Sequence, residues 1–143
     1  VYVYTRELMK ELKKKGYILL AISGSQSEIV AKVAEYYGFD DFVGSFYHRK
    51  NNRFTGDFDL TVYSKDKVLN DLVAKHGLSF KGSIAVGDSA SDIAMMDLVE
   101  CAIAFNPEKT LLARAKKSGW EVVVERKNVI YKLKSKNGKY TLV

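Results

Sequence analysis

A short apolar run, Ser83-Ile84-Ala85-Val86, meets Gly87-Asp88-Ser89-Ala90 and passes into a helical pattern near Ser91, with Ile93 and Met96 on one face. Few folds use that order. A strand that ends in a small-residue turn bearing a carboxylate, with a helix behind it, puts the carboxylate at the carboxyl edge of an open α/β sheet, where such sheets bind ligands. Asp88 and Asp92 are four residues apart, so one helical turn can aim both at one point. Two carboxylates converging on a polar crevice suit a hard cation such as Mg²⁺, which takes few protein oxygens and keeps several waters.

The rest of the chain continues the alternation of strand and helix. Thr5 to Lys15 reads as a helix, with Thr5 as N-cap, Leu8 and Leu12 on one face, lysines in the last turn and Gly16 ending it. The continuous apolar run Tyr17 to Ile22 predicts a buried strand, Ser23-Gly24-Ser25 a turn, and Ser27 to Tyr37 a helix closed by Gly38. Phe42 to Tyr63 predicts a β-hairpin turning at Lys50-Asn51-Asn52-Arg53. Lys65 to His76 predicts a helix with Val68, Leu69 and Leu72 inward, ended by Gly77.

After the strand Ile84 to Val86 come a helix to about Leu98, a strand Cys101 to Ala104, and a helix Glu108 to Ser118. Asn106 is placed as the N-cap of that helix and Pro107 as its first residue. Trp120 to Val124 is a further strand, and Val129 to Leu133 and Lys139 to Val143 flank Asn137-Gly138, a type I′ hairpin signal. The expected fold class is α/β: a Rossmann-like parallel sheet with helices on both faces, a β-hairpin insertion and a C-terminal β-hairpin, in a single domain over residues 1–143.

No apolar run approaches the roughly 20 residues that span a bilayer, so no membrane partner is expected. The start lacks the order of a signal peptide, and the lone Cys101 leaves no intramolecular disulfide, which fits a cytoplasmic location. The first residue is Val1, not Met, which suggests the C-terminal portion of a longer protein. From Asn106 onward there are ten Lys or Arg against three Glu, so this stretch outweighs the whole chain's net charge of +6. A basic segment interleaved with Trp120, Tyr131 and Tyr140 allows a binding module for nucleic acid or another anionic partner. Solvated lysines on strands explain the same residues, and nucleic acid is the less favoured partner.

The stretch around Asp88 resembles the fourth motif of the haloacid dehalogenase (HAD) superfamily, and the likeness continues upstream. Leu19-Leu20-Ala21-Ile22-Ser23-Gly24-Ser25 resembles the second motif, an apolar strand ending in a phosphate-binding Ser. Lys65 stands 23 positions before Asp88, as the third-motif Lys does in phosphoserine phosphatases. Arg53-Phe54-Thr55-Gly56 and Phe105-Asn106-Pro107 also look like the phosphoserine-phosphatase-like branch. The likeness runs from about Thr5 to Trp120, with three motifs in order.

The resemblance implies a Mg²⁺-dependent phosphomonoester hydrolase acting on a small phosphorylated substrate through an aspartyl-phosphate. It implies that Ser23, Gly24 and Lys65 bind phosphate, with Lys65 also catalytic, and that Asp88 and Asp92 serve the metal. Lys67 is a rival to Lys65 whose spacing fits less well, and Ser25 or Ser27 could simply cap the following helix. The first motif, an apolar strand carrying the nucleophilic Asp, belongs before Ser23, yet residues 1–22 contain no Asp. Asp57-Phe58-Asp59-Leu60-Thr61 has the literal first-motif pattern, but it follows the second motif and lacks an apolar lead-in, as on a half-exposed hairpin strand. The chain alone is therefore expected to be inactive and to keep a weak anion and metal site. It is also expected to be poorly soluble, or to pair with a second copy or with a missing N-terminal segment.

Overall fold

The computed structural model describes residues 2–143, the side chain of Val62 excepted. The fold is α/β, with mixed sheets built around parallel strand pairs. Its contacts gather into two compact units: Glu7–His76, and Gly77–Val143 together with the N-terminal residues up to Arg6.

The Glu7–His76 unit holds a three-stranded sheet in the order β1 (Leu20–Gln26), β2 (Asp41–Lys50), β3 (Arg53–Asp59). β1 and β2 are parallel, and β3 returns antiparallel to β2. The helix between β1 and β2, α2 (Ser27–Tyr37), buries Val30 and Ala34 and ends at Gly38, whose φ of 70° suits glycine. Asn51 and Asn52, at φ 49° and 63°, make the tight turn that the hairpin needs. α3 (Lys65–Lys75) buries Leu69 and Leu72, as its periodicity predicts, and also Lys65. β1 begins three residues later than the apolar run predicts and continues through Ser23-Gly24-Ser25, so that segment is irregular strand rather than a turn; the pairing with β2 shifts register between Ile22 and Gln26.

The Asp41 carboxylate joins the start of β2 to the end of α3. Lys75 Nζ and His76 Nε2 each lie 2.7 Å from its Oδ2. The bond from Lys75, then that from His76, holds the carboxyl well below its usual range, at about 2. A depressed carboxyl pKa stabilises the fold above the unfolded value and loses that contribution as pH falls toward the folded one. Thermal unfolding midpoints should therefore drop between about pH 4 and pH 2, and Asp41→Asn should remove part of that drop. An identical pH dependence in the variant would contradict this role.

The second unit holds a five-stranded sheet in the order β4 (Ile84–Gly87), β5 (Cys101–Phe105), β6 (Glu121–Arg126), β7 (Val129–Lys136), β8 (Lys139–Leu142). β4, β5 and β6 are parallel, and the last two strands add antiparallel by tight turns. Asn137 and Gly138, at φ 51° and 74°, fulfil the hairpin signal. The core is β5 and β6, with Ala104 and Val123 fully buried, covered by Leu111 and Ala115 of α5 (Lys109–Ser118), while the single-turn α4 (Ile93–Met96) buries Met95 and Met96 and packs on β4.

α1 (Val3–Lys14) starts two residues earlier than its sequence suggests, and Thr5 does not cap it. Thr5 Oγ1 donates instead to the Tyr2 carbonyl. The buried Glu125 carboxylate does the capping, accepting the N–H groups of Val3 and Tyr4 at 2.9 Å each. An anion at a helix N-terminus meets orphan donors and the positive end of the helix dipole. Asn106 is likewise not the N-cap of α5; Glu108 occupies that position. With φ 43°, Asn106 continues the β5–β6 ladder, donating its N–H to the Val123 carbonyl and accepting Glu125 N–H at its Oδ1, 2.9 Å away.

Candidate active site

Asp88 stands at the carboxyl end of β4, with its side chain exposed. What fixes it is Asp92. Asp92 is 4% exposed, and its Oδ2 accepts the backbone N–H groups of Asp88 at 3.0 Å and Ser89 at 3.1 Å. The helix expected from Ser91 is in fact a 3-10 turn, Ala90–Asp92, leading into α4. That tighter winding swings Asp92 back under the end of β4. A Cβ on Gly87 would lie 2.6 Å from Asp92 Cβ and 2.8 Å from Met96 Sδ, so only glycine lets the carboxylate approach the strand this closely. The far side of the turn is tied to α5: Glu108 donates its N–H to the Asp88 carbonyl at 2.9 Å, and its Oε1 accepts Ala90 N–H at 2.6 Å.

The two acidic residues thus have different environments. The Asp92 carboxylate supports the backbone beneath Asp88, while the Asp88 carboxylate meets no side-chain partner among the described residues. Among those residues no group of three His, Cys, Asp or Glu gathers as a metal cluster. An exposed carboxylate on a rigid turn nevertheless fits Mg²⁺, which needs one or two carboxylates and completes its shell with water and substrate oxygens.

Ser23, Gly24 and Lys65 belong to the other unit. Ser23 is half-buried, and its Oγ accepts the Ser25 N–H at 3.1 Å, which orients the hydroxyl and leaves its proton to donate. α2 begins directly after, with Gln26 at its N-cap and no side-chain cap. Neither Ser25 nor Ser27 caps it; Ser27 donates to the Ser45 carbonyl instead. The first-turn N–H groups of an uncapped eleven-residue helix are suited to an anion. Lys65, at the first position of α3, is 7% exposed, whereas Lys67 is exposed. Lysines are almost never this buried unless paired, so a solvated surface role does not explain the placement.

Three residues that shape these loops were not singled out from the sequence. Gly87 and Glu108 hold the Asp88 turn, and Gly44 holds the Ser23 segment. A Cβ on Gly44 would stand 2.7 Å from Ser27 Cα and 2.9 Å from Ser25 O and Ser27 N. β2 therefore presses directly on the backbone after Ser23, and the fully buried Ser45 beside it accepts Thr61 N–H at its Oγ. Gly44→Ala should cost about 1–3 kcal/mol by forced backbone movement, read as a lower urea midpoint; an unchanged midpoint would contradict the close packing.

Asp57, Phe58 and Asp59 of the Asp-x-Asp-x-Thr run lie on β3, which is exposed along its whole length rather than on one face only, while Thr61 begins a 3-10 turn and is buried. Asp59 Oδ2 lies 3.0 Å from His48 Nε2, and Asp57 Oδ2 lies 3.4 Å from Thr55 Oγ1. An open hollow of about 430 Å³ lies at the amino ends of β5 and β6, against Cys101, Trp120, Glu121 and Lys134, and none of Ser23, Gly24, Lys65, Asp88 and Asp92 lines it.

Residues 2–97 match the model of the haloacid dehalogenase-like hydrolases. The chain belongs to that family. It is 29% identical over 126 residues to a phosphoserine phosphatase of Methanocaldococcus jannaschii, covering 86% of this chain and 57% of that one. A phosphoserine phosphatase of Archaeoglobus fulgidus is 30% identical over 109 residues, covering 74% of this chain and 32% of that one. A solved structure described as a phospho-aspartyl intermediate analogue of phosphoserine phosphatase superposes with a TM-score of 0.70 at 29% identity, over 85% of this chain and 57% of its own. The chain spans about half the length of these relatives or less. Among the described residues no helix is long and apolar enough to cross a membrane.

Proposed function

We propose that this haloacid dehalogenase-like chain forms the phosphate- and metal-handling part of a cytoplasmic Mg²⁺-dependent phosphomonoester hydrolase of phosphoserine-phosphatase type. The observation that carries the proposal is the Asp88 turn: an exposed carboxylate at the end of a parallel strand, its backbone held on one side by Asp92 and on the other by Glu108. In this reading Asp88 binds the metal, and Asp92 serves it by fixing Asp88 and by holding metal-bound water. Mg²⁺, when bound, neutralises charge on the transferring phosphoryl group. Ser23 donates its hydroxyl proton to a phosphate oxygen, Gly24 offers its backbone N–H, and Lys65 supplies positive charge to phosphate and nucleophile.

The nucleophile in this proposal is an aspartate on a strand that residues 1–22 do not contain. Its carboxylate attacks phosphorus as the bond to the ester oxygen breaks, a second aspartate two residues further along that strand protonates the departing oxygen, and the same group then takes a proton from the water that hydrolyses the aspartyl-phosphate, so that one difficult displacement becomes two easier ones. The solved neighbour described as a phospho-aspartyl intermediate analogue supports that route. Nucleic-acid binding is not favoured, because two of the three aromatic residues named for the basic segment are engaged within the fold: Tyr140 donates to the Trp120 carbonyl, and the Arg114 guanidinium lies 5.6 Å from the Trp120 ring centre, which leaves Tyr131 as the exposed one.

The test is phosphate release from phosphoserine and from an aryl phosphate by the chain extended upstream with the corresponding segment of the M. jannaschii relative. Ser23→Ala should raise KM, and Lys65→Ala should lower kcat by about 10²–10³, the scale of losing one oriented electrostatic contact. Full activity in both variants would remove these residues from the site.

A further inference from the structure

β3 is the last strand of its sheet, and all seven of its residues are exposed. Its sequence, Arg53-Phe54-Thr55-Gly56-Asp57-Phe58-Asp59, is self-complementary when run against itself about Gly56. Arg53 then faces Asp59 of the other strand, Phe54 faces Phe58, Thr55 faces Asp57, and Gly56 faces Gly56. We propose that β3 pairs antiparallel with β3 of a second copy across a two-fold axis at Gly56.

The backbone is laid out for this. β3 pairs with β2 through Tyr47↔Phe58 and Arg49↔Phe54, so four steps on β3 are matched to two on β2. The extra residues form a bulge around Gly56, which has φ 94°. Because two extra residues preserve the alternation of an antiparallel ladder, Phe54 and Phe58 present their backbone groups in the same sense. A bulge ordinarily blunts a sheet edge. Here its apex is a glycine with nothing within 4 Å of where a Cβ would stand, so two copies meet at the axis without side chains between them.

The side chains agree with the backbone. Phe54 and Phe58 are 59% and 55% exposed, on the face where Tyr47 packs against both rings and the Arg49 guanidinium sits 4.5 Å from the Phe54 ring centre. Two-fold pairing brings Phe54 of each copy beside Phe58 of the other and merges two half-covered aromatic clusters into one. Cross-strand aromatic pairs and opposite charges are the interactions that stabilise such a junction. A two-fold axis also makes each contact twice, which is the isologous arrangement of most homodimers. The inference does not depend on the proposed catalytic role, since none of these residues has one.

Sedimentation velocity on the 143-residue chain across the micromolar range tests it, with circular dichroism confirming the fold of each variant. The wild-type chain should dimerise. Arg53→Asp alone, or Asp59→Arg alone, places like charges opposite each other twice and should weaken dimerisation at least about tenfold. The double variant R53D/D59R restores opposite pairs and should recover the wild-type dimer. A monomeric wild type, a dimer indifferent to both single swaps, or a folded double variant that stays monomeric would each overturn the proposal.

Discussion

The 143-residue chain by itself should release phosphate from esters at least about 10⁴-fold more slowly than the same chain joined to the upstream segment of the M. jannaschii relative. Losing a nucleophile costs several orders of magnitude in hydrolases whose chemistry passes through a covalent intermediate. Residues 1–22 offer no aspartate, and both aspartates of the Asp-x-Asp-x-Thr run lie on the solvent-exposed β3. The strands point the same way. β1 and β4 are each the end strand of their sheet, paired in parallel on one side only, and both carry half-buried apolar residues. An end strand with a free apolar edge can take a further strand, and the proposed nucleophile strand would be one. The comparison is phosphate release by the two proteins in Mg²⁺. Metal-dependent turnover by the short chain, abolished in Asp57→Asn, would make the hairpin aspartate the nucleophile and overturn this prediction.

Asp92→Ala should cost about 2–4 kcal/mol of folding stability, because it strands two backbone donors that now bond a charged oxygen and leaves a gap beside Gly87. The carboxylate is 4% exposed, so water cannot simply replace it. Asp88→Ala, only four residues away but exposed, should change stability by less than about 1 kcal/mol. Urea unfolding of the two variants separates the roles. Equal losses, or a larger loss for Asp88→Ala, would contradict the division between a supporting Asp92 and a ligand-facing Asp88.

Much of the fold was legible because local chemistry decided it. The helix Ser27–Tyr37, both asparagine-rich hairpin turns and the Asp88 strand follow from periodicity and from residues that accept positive φ. What the sequence did not reveal depends on distant partners. Thr5 and Asn106 carry good N-cap side chains, but a buried Glu125 claims the amides of α1 and the side chain of Asn106 serves Glu125. Capping preferences see only neighbours along the chain, and Glu125 is 121 residues from Tyr4. The Ser23 segment read as a turn because of its composition, yet pairing of Gln26 with Ser45 draws it into β1. In the candidate site the spacing of Asp88 and Asp92 predicts two carboxylates aimed at one point, but their unequal burial comes from the 3-10 turn and from Gly87, and neither is encoded in the spacing.

The most direct measurement is kcat/KM for phosphoserine and for an aryl phosphate in the upstream-extended protein, with and without Mg²⁺, for the wild type and for Asp88→Asn. Asparagine keeps the size of the side chain and leaves the Asp92 and Glu108 bonds to the backbone in place. Turnover should require Mg²⁺ and should fall at least about 10³-fold in the variant, the scale of removing a metal-anchored electrostatic contribution to the transition state. Turnover indifferent to Mg²⁺, or undiminished in a folded Asp88→Asn protein, would show that the Asp88 turn is not the metal-handling part of a phosphatase.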